Sequence, residues 1–71
     1  MLVIHRRVQP HPVWSAELHL NFEARSKSRL RCFSTDGEDV GLFLERGQSP
    51  LHDGEFLQAQ DGRIVRVCAS P

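Results

Sequence analysis

Apolar and polar positions alternate with a period of two along most of this chain, which is the pattern of half-buried β-strands. Leu2, Val3 and Ile4 open it as a short β-branched run, and Pro10 and Pro12 then bar regular structure around His11. From Glu17 to Glu23, the residues Leu18, Leu20 and Phe22 fall on one face, with Glu17, His19, Asn21 and Glu23 on the other. A third strand is expected over 29–33, where Leu30 and Cys32 alternate with Arg29 and Arg31, and a fourth over 40–45 through Val40, Leu42 and Leu44. Residues 55–58 and 63–68 complete the set, leaving Leu51 as a lone apolar anchor in a turn-rich stretch.

Three Asp-Gly pairs punctuate these strands, at Asp36-Gly37, Asp53-Gly54 and Asp61-Gly62. Asp and Gly both suit tight turns, so the first pair predicts a hairpin over 29–44, with a loop that can exceed two residues, and the third a short hairpin. No window carries a sustained helical period with caps. A single helical turn at 10–16 or 47–52 is the most that the pattern allows. About six short strands with Gly-containing turns predict an all-β domain, a small two-sheet sandwich or barrel, which also resolves the problem of unpaired edges.

A length of 71 residues allows one domain, 1–71, with a thin core. No apolar run approaches the roughly 20 residues needed to cross a bilayer, so no membrane role is expected. Cys32 and Cys68 are too few for a disulfide framework and form no Cys-x-x-Cys pair, which points to reduced thiols in a cytoplasmic protein. Both fall on what look like core faces, where free cysteine acts as a small hydrophobe. His5, His11, His19 and His52 stand near neither one another nor a cysteine in a ligand-fixing spacing, so no metal site is assigned. No Ser or Cys is marked by a neighbouring base, and there is no Gly-rich phosphate loop, so an enzyme is not expected.

The formal net charge of zero conceals a division. Residues 1–31 hold six basic and two acidic side chains, a net +4, whereas residues 32–71 hold three basic and seven acidic ones, a net −4. The densest feature is 25–31, with Arg25, Lys27, Arg29 and Arg31 at alternate positions. In a strand this spacing puts all four on one face, and such a row needs an acidic partner, either within the domain or outside it. These four residues and Arg46 are the candidate partner-binding residues.

Arg25-x-Lys27-Ser28-Arg29, Asp36-Gly37, Gly41-x-x-Leu44-x-Arg46-Gly47, Asp53-Gly54-Glu55-x-Leu57 and the closing Val65-x-Val67 resemble, in their order and spacing, the N-terminal domain of UreE, the urease accessory protein and nickel metallochaperone. The resemblance runs from about residue 18 to the end and includes the opening strand. Ser49-Pro50 departs from it, lengthening the link between Arg46-Gly47 and Asp53-Gly54 by a residue. The resemblance implies two small packed β-sheets in a domain that handles peptide segments. It implies as partners the apo-urease complex and urease accessory proteins, including a GTPase, and leaves homodimerisation of the full-length protein open. It places nickel on a C-terminal metal-binding domain and His-rich tail absent from this chain, so no cofactor is expected here. Two other classes compete with partner docking. One is a small nucleic-acid-binding barrel, disfavoured by the zero net charge and by the lack of an aromatic residue within 25–31. The other is a structural domain that recognises nothing.

Overall fold

A computed structural model describes residues 1–71. Six strands form one sheet: β1 (Leu2–Val8), β2 (Ala16–Leu20), β3 (Arg29–Phe33), β4 (Asp39–Phe43), β5 (Phe56–Ala59) and β6 (Ile64–Ala69). The helical content is one four-residue segment, α1 (Phe22–Arg25). The spatial order is β2-β6-β5-β1-β4-β3, so the first strand lies near the middle. It runs parallel to β4, with Ile4 opposite Leu42, and antiparallel to β5, with a register irregularity around His5. The sheet curls into an all-β, nearly closed barrel in place of two separate sheets. At the seam between its edge strands β2 and β3 there is no ladder, and the Thr35 amide donates to the Glu17 carbonyl at 3.0 Å.

Two Asp-Gly pairs build the same turn. In Ser34–Glu38 and in Ala59–Arg63, the first residue's amide donates to the fifth residue's carbonyl, at 2.9 Å in both, and the glycine amide returns to the first carbonyl. Gly37 and Gly62 have φ of 86° and 93°, a left-handed conformation that a Cβ would strain. The loops therefore hold three residues each. Asp53-Gly54 does something different: it lies along β6, with Asp53 Oδ1 accepting from the Ala69 amide and the Gly54 amide donating to Val67.

Inside the barrel the side chains are aliphatic. Ile4, Leu18, Val40, Leu42, Leu51, Leu57, Val65 and Val67 have no measurable exposure, and Leu2, Leu20, Leu44 and Ala59 complete the wall around them. The alternation read from the sequence thus matches the inward positions of β2 and β4. Leu51, in no strand, is fully buried and is the plug that the lone apolar anchor suggested. Its amide donates to the Arg25 carbonyl at 2.9 Å. Phe56 is buried next to Leu57, although neighbouring strand residues point oppositely, because Trp14 covers it from outside, edge-on at 5.5 Å between ring centroids.

Three expectations are corrected. The strand from Glu17 ends at Leu20, since Asn21 takes an extended cap conformation and its Oδ1 accepts from the Ala24 amide at 2.9 Å, opening α1. Phe22 therefore leaves the core face and is 63% exposed, and the helical turn falls at neither expected place. Cys68 is likewise out of phase. Val65 and Val67 take the inward positions of β6, so Cys68 looks outward, whereas Cys32 packs against the core as expected.

Leu51→Ala should lower the unfolding free energy by about 2–5 kcal/mol in a denaturant titration, because it empties a fully buried position in the core cluster and leaves a cavity there. The aspartates set the acid limit. The Ser34 hydroxyl and local amides hold the Asp36 carboxyl below its usual range, Arg31 does the same for Asp39, and the Arg63 amide and guanidinium do so for Asp61. A depressed carboxyl stabilises the fold fully above its unfolded pKa of about 4 and stops doing so as pH falls through the folded value. Stability measured by circular dichroism should accordingly decline below about pH 4, and Asp61→Asn should flatten that decline.

Candidate functional site

The structure divides the basic segment instead of aligning it. Arg25 closes α1, Lys27 lies in the turn after it, and only Arg29 and Arg31 share the outer face of a strand, β3. The single row expected for 25–31 is thus corrected, and the reason is the Asn21 cap, which commits 22–25 to a helical turn. Each residue then has its own surroundings. The half-buried Arg25 guanidinium donates to the Leu20 carbonyl at 3.2 Å and the Leu51 carbonyl at 3.1 Å, and lies over the Phe22 ring. It secures Leu51 in the barrel mouth. Lys27 approaches Glu23 at 4.0 Å, one helical turn back. Arg31 makes a two-pronged pair with Asp39, at 3.0 and 2.8 Å, pairing across the hairpin the opposite charges of the chain's two halves. Arg29 pairs with no carboxylate and lies over the ring of Phe43, 5.6 Å from its centroid.

Two surfaces result. A cleft of about 260 Å³ gathers Arg7, Arg25, Lys27 and Arg46 with Glu45 and Ser49. The charge there is partly answered: Arg7 reaches Glu55 at 3.5 Å and donates to the Ser49 carbonyl. A second depression, about 370 Å³, lies on the outer face of β3 and β4, walled by Met1, Arg29, Arg31, Leu42 and Phe43 over Gly41. A Cβ at Gly41 would stand 2.8 Å from Phe43 Cε2 and 3.0 Å from Met1 Sδ, so the absence of a side chain lets both settle onto the strand. Met1 and Phe43 are nevertheless substantially exposed, and Phe33, further along β3, is 67% exposed. Exposed aromatics beside arginines are the composition that partner-binding surfaces favour. The sequence reading found the two arginines and missed the aromatics. Phe43 stands opposite Arg29 only through the β3–β4 register.

A family match now joins this geometry. The model of the UreE urease accessory protein N-terminal domain matches residues 3–70, nearly the whole chain. The chain belongs to that family. Urease accessory protein UreE of Pseudomonas fluorescens (strain SBW25) is 83% identical over 71 residues, covering all of this chain and 43% of the relative. UreE of Azotobacter vinelandii is 69% identical over the same length and share, and UreE of Ectopseudomonas mendocina is 65% identical over 82 residues, 49% of the relative. The chain therefore spans less than half the length of these UreE relatives. UreE is a family of accessory proteins and not of enzymes, in keeping with the sequence reading. No helix is long and apolar enough to cross a membrane.

The histidines are all exposed. His19 is the one the fold changes, because the parallel pairing of β2 with β6 sets it opposite Cys68 and sets Glu17 opposite Arg66. Burial pushes the Cys32 and Cys68 thiols up, with Asp39 adding to the first and Glu17 to the second.

Arg25 and Arg29 should separate under mutation. Arg25→Ala strips donors from two inner carbonyls and should cost about 1–3 kcal/mol of stability, whereas Arg29→Ala should change it by less than about 0.5 kcal/mol, as read by urea unfolding.

Proposed function

We propose that this domain is the docking module of a urease accessory nickel chaperone, engaging the apo-urease complex or its accessory proteins while a domain beyond this chain carries nickel as cargo. The observation that supports it most is the outer face of β3 and β4, where Met1 and Phe43 are exposed around the bare backbone of Gly41, flanked by Arg29 and Arg31, with exposed Phe33 further along β3. Burying this apolar surface supplies affinity, at roughly 25 cal/mol per Å² before the costs of association. Arg29, with no carboxylate of its own, selects a partner segment that brings an acidic group. Arg31 is already paired with Asp39, so its role is to frame the surface. The edge strand β3, which ends the sheet order beside this face, offers main-chain groups to an added strand. Arg25, Lys27 and Arg46 form a separate cleft, where Arg25 holds the fold and Lys27 and Arg46 remain available to a partner.

In a full-length protein carrying this domain, Phe43→Ala combined with Arg29→Glu should weaken capture of apo-urease by tenfold or more and slow urease activation, with the far-ultraviolet circular dichroism unchanged. Loss of hot-spot residues of these types costs on the order of 2 kcal/mol or more each. Unaltered capture and activation would reject the surface, and unaltered activation after deletion of residues 1–71 would reject the docking role itself. Salt-dependent binding of single-stranded RNA, abolished by the same substitutions, would assign this face to nucleic acid instead.

A further inference from the structure

Across the seam from β3, the outer face of β2 and β6 gathers three different metal-binding side chains from distant parts of the sequence. Glu17 and His19 are two residues apart on β2 and so point the same way. The parallel register then places Cys68 of β6 opposite His19. One ligand atom from each, a carboxylate oxygen, an imidazole nitrogen and the thiol sulfur, lies within 4.8 Å of the other two. His19 Nε2 is 3.5 Å from Glu17 Oε1. The other carboxylate oxygen accepts from Trp14 Nε1 at 3.1 Å, which fixes the carboxylate plane and leaves Oε1 turned to His19.

We propose that Glu17, His19 and Cys68 form a binding site for a divalent transition ion of the zinc class, with solvent as its fourth ligand. Zinc takes thiolate at about 2.3 Å and imidazole or carboxylate at about 2.0–2.2 Å, so its tetrahedral ligands stand about 3.5 Å apart. Rotation of the exposed His19 ring and of the Cys68 side chain closes the remaining ångström, with no backbone shift. The thiol proton leaves to solvent as the metal–sulfur bond forms, and the thiolate and carboxylate together neutralise the ion. Soft sulfur with imidazole nitrogen excludes magnesium and calcium, which require oxygen ligands.

One cation already reaches two of the three ligands. Arg66 Nη1 donates to Cys68 Sγ at 3.1 Å and stands 3.8 Å from Glu17 Oε2, with its guanidinium over the Trp14 ring. The bound ion takes its place, and Arg66 moves outward along the indole face, from where it can still donate to the thiolate. This competition limits the affinity. It also makes the site a receiver of loosely held metal, in contrast to closed structural sites.

Cobalt(II) is the probe, added to the reduced 71-residue chain. A thiolate-to-cobalt charge-transfer band should rise to saturation at one equivalent, accompanied by the intense visible bands of four-coordinate cobalt, and zinc should bleach both. Cys68→Ser should abolish the charge-transfer band and His19→Gln should weaken binding by roughly tenfold or more, while Cys32→Ser should leave the spectrum intact. None of the three side chains is fully buried, and circular dichroism verifies that each variant keeps the strand signal. Absence of the band at tenfold excess of cobalt, or its survival in Cys68→Ser, would overturn the proposal. These readouts do not involve urease, so they stand or fall apart from the docking role.

Discussion

Everything in this barrel depends on the placement of β1 between β4 and β5. The β3–β4 hairpin and the β5–β6 hairpin, which carries β2 on its far side, have no ladder joining them except through β1. Leu2 and Ile4 enter the core from that strand, so its hydrogen bonds and its apolar burial act together. A second tie lies at the turns. Glu38 and Arg63 occupy the same closing position of the two equivalent Asp-Gly loops, and they pair with each other through two bonds of 2.9 Å. Asp61 holds the same guanidinium at 2.8 Å, and together the two carboxylates raise the Arg63 pKa, keeping its charge fixed. The two hairpins are thus registered at one end by charge and along their length by β1.

The division of the surface follows from this arrangement. With a wholly aliphatic interior, the aromatics are left for the outside or for covering roles: Trp14 lies over Phe56, and Phe33 and Phe43 stand in solvent. The face around Gly41 exists because Met1 lies over β4 as β1 enters the sheet. The face around Cys68 exists because β2 returns to pair in parallel with the last strand. One flank therefore offers apolar and cationic chemistry, suited to a protein partner, and the other offers mixed nitrogen, sulfur and oxygen donors. Neither requires the interior to be disturbed.

Charge makes the same point. The +4 and −4 halves do not produce a dipolar domain, because strands of the two halves interleave. Arg31 meets Asp39, Arg7 meets Glu55, and Glu17 lies near Arg66. The basic residues that remain uncompensated are few, and Arg29 stands out among them because an aromatic ring, not a carboxylate, receives it.

The sequence by itself determined the all-β class, the strand at 29–33, those expected at 40–45 and 63–68 to within about two residues, the two Asp-Gly hairpins, and Leu51 as an anchor, because alternation and turn chemistry act over a few residues. It also carried the family resemblance. It placed Phe22 inside and the basic segment in one row, since the strand period before Asn21 gave no sign that a side-chain cap would end it. The strand order, the opposition of Phe43 to Arg29 and the meeting of His19 with Cys68 were decided only by tertiary structure. Pairing register between distant strands follows from how the whole core closes, and no local spacing in the chain encodes it.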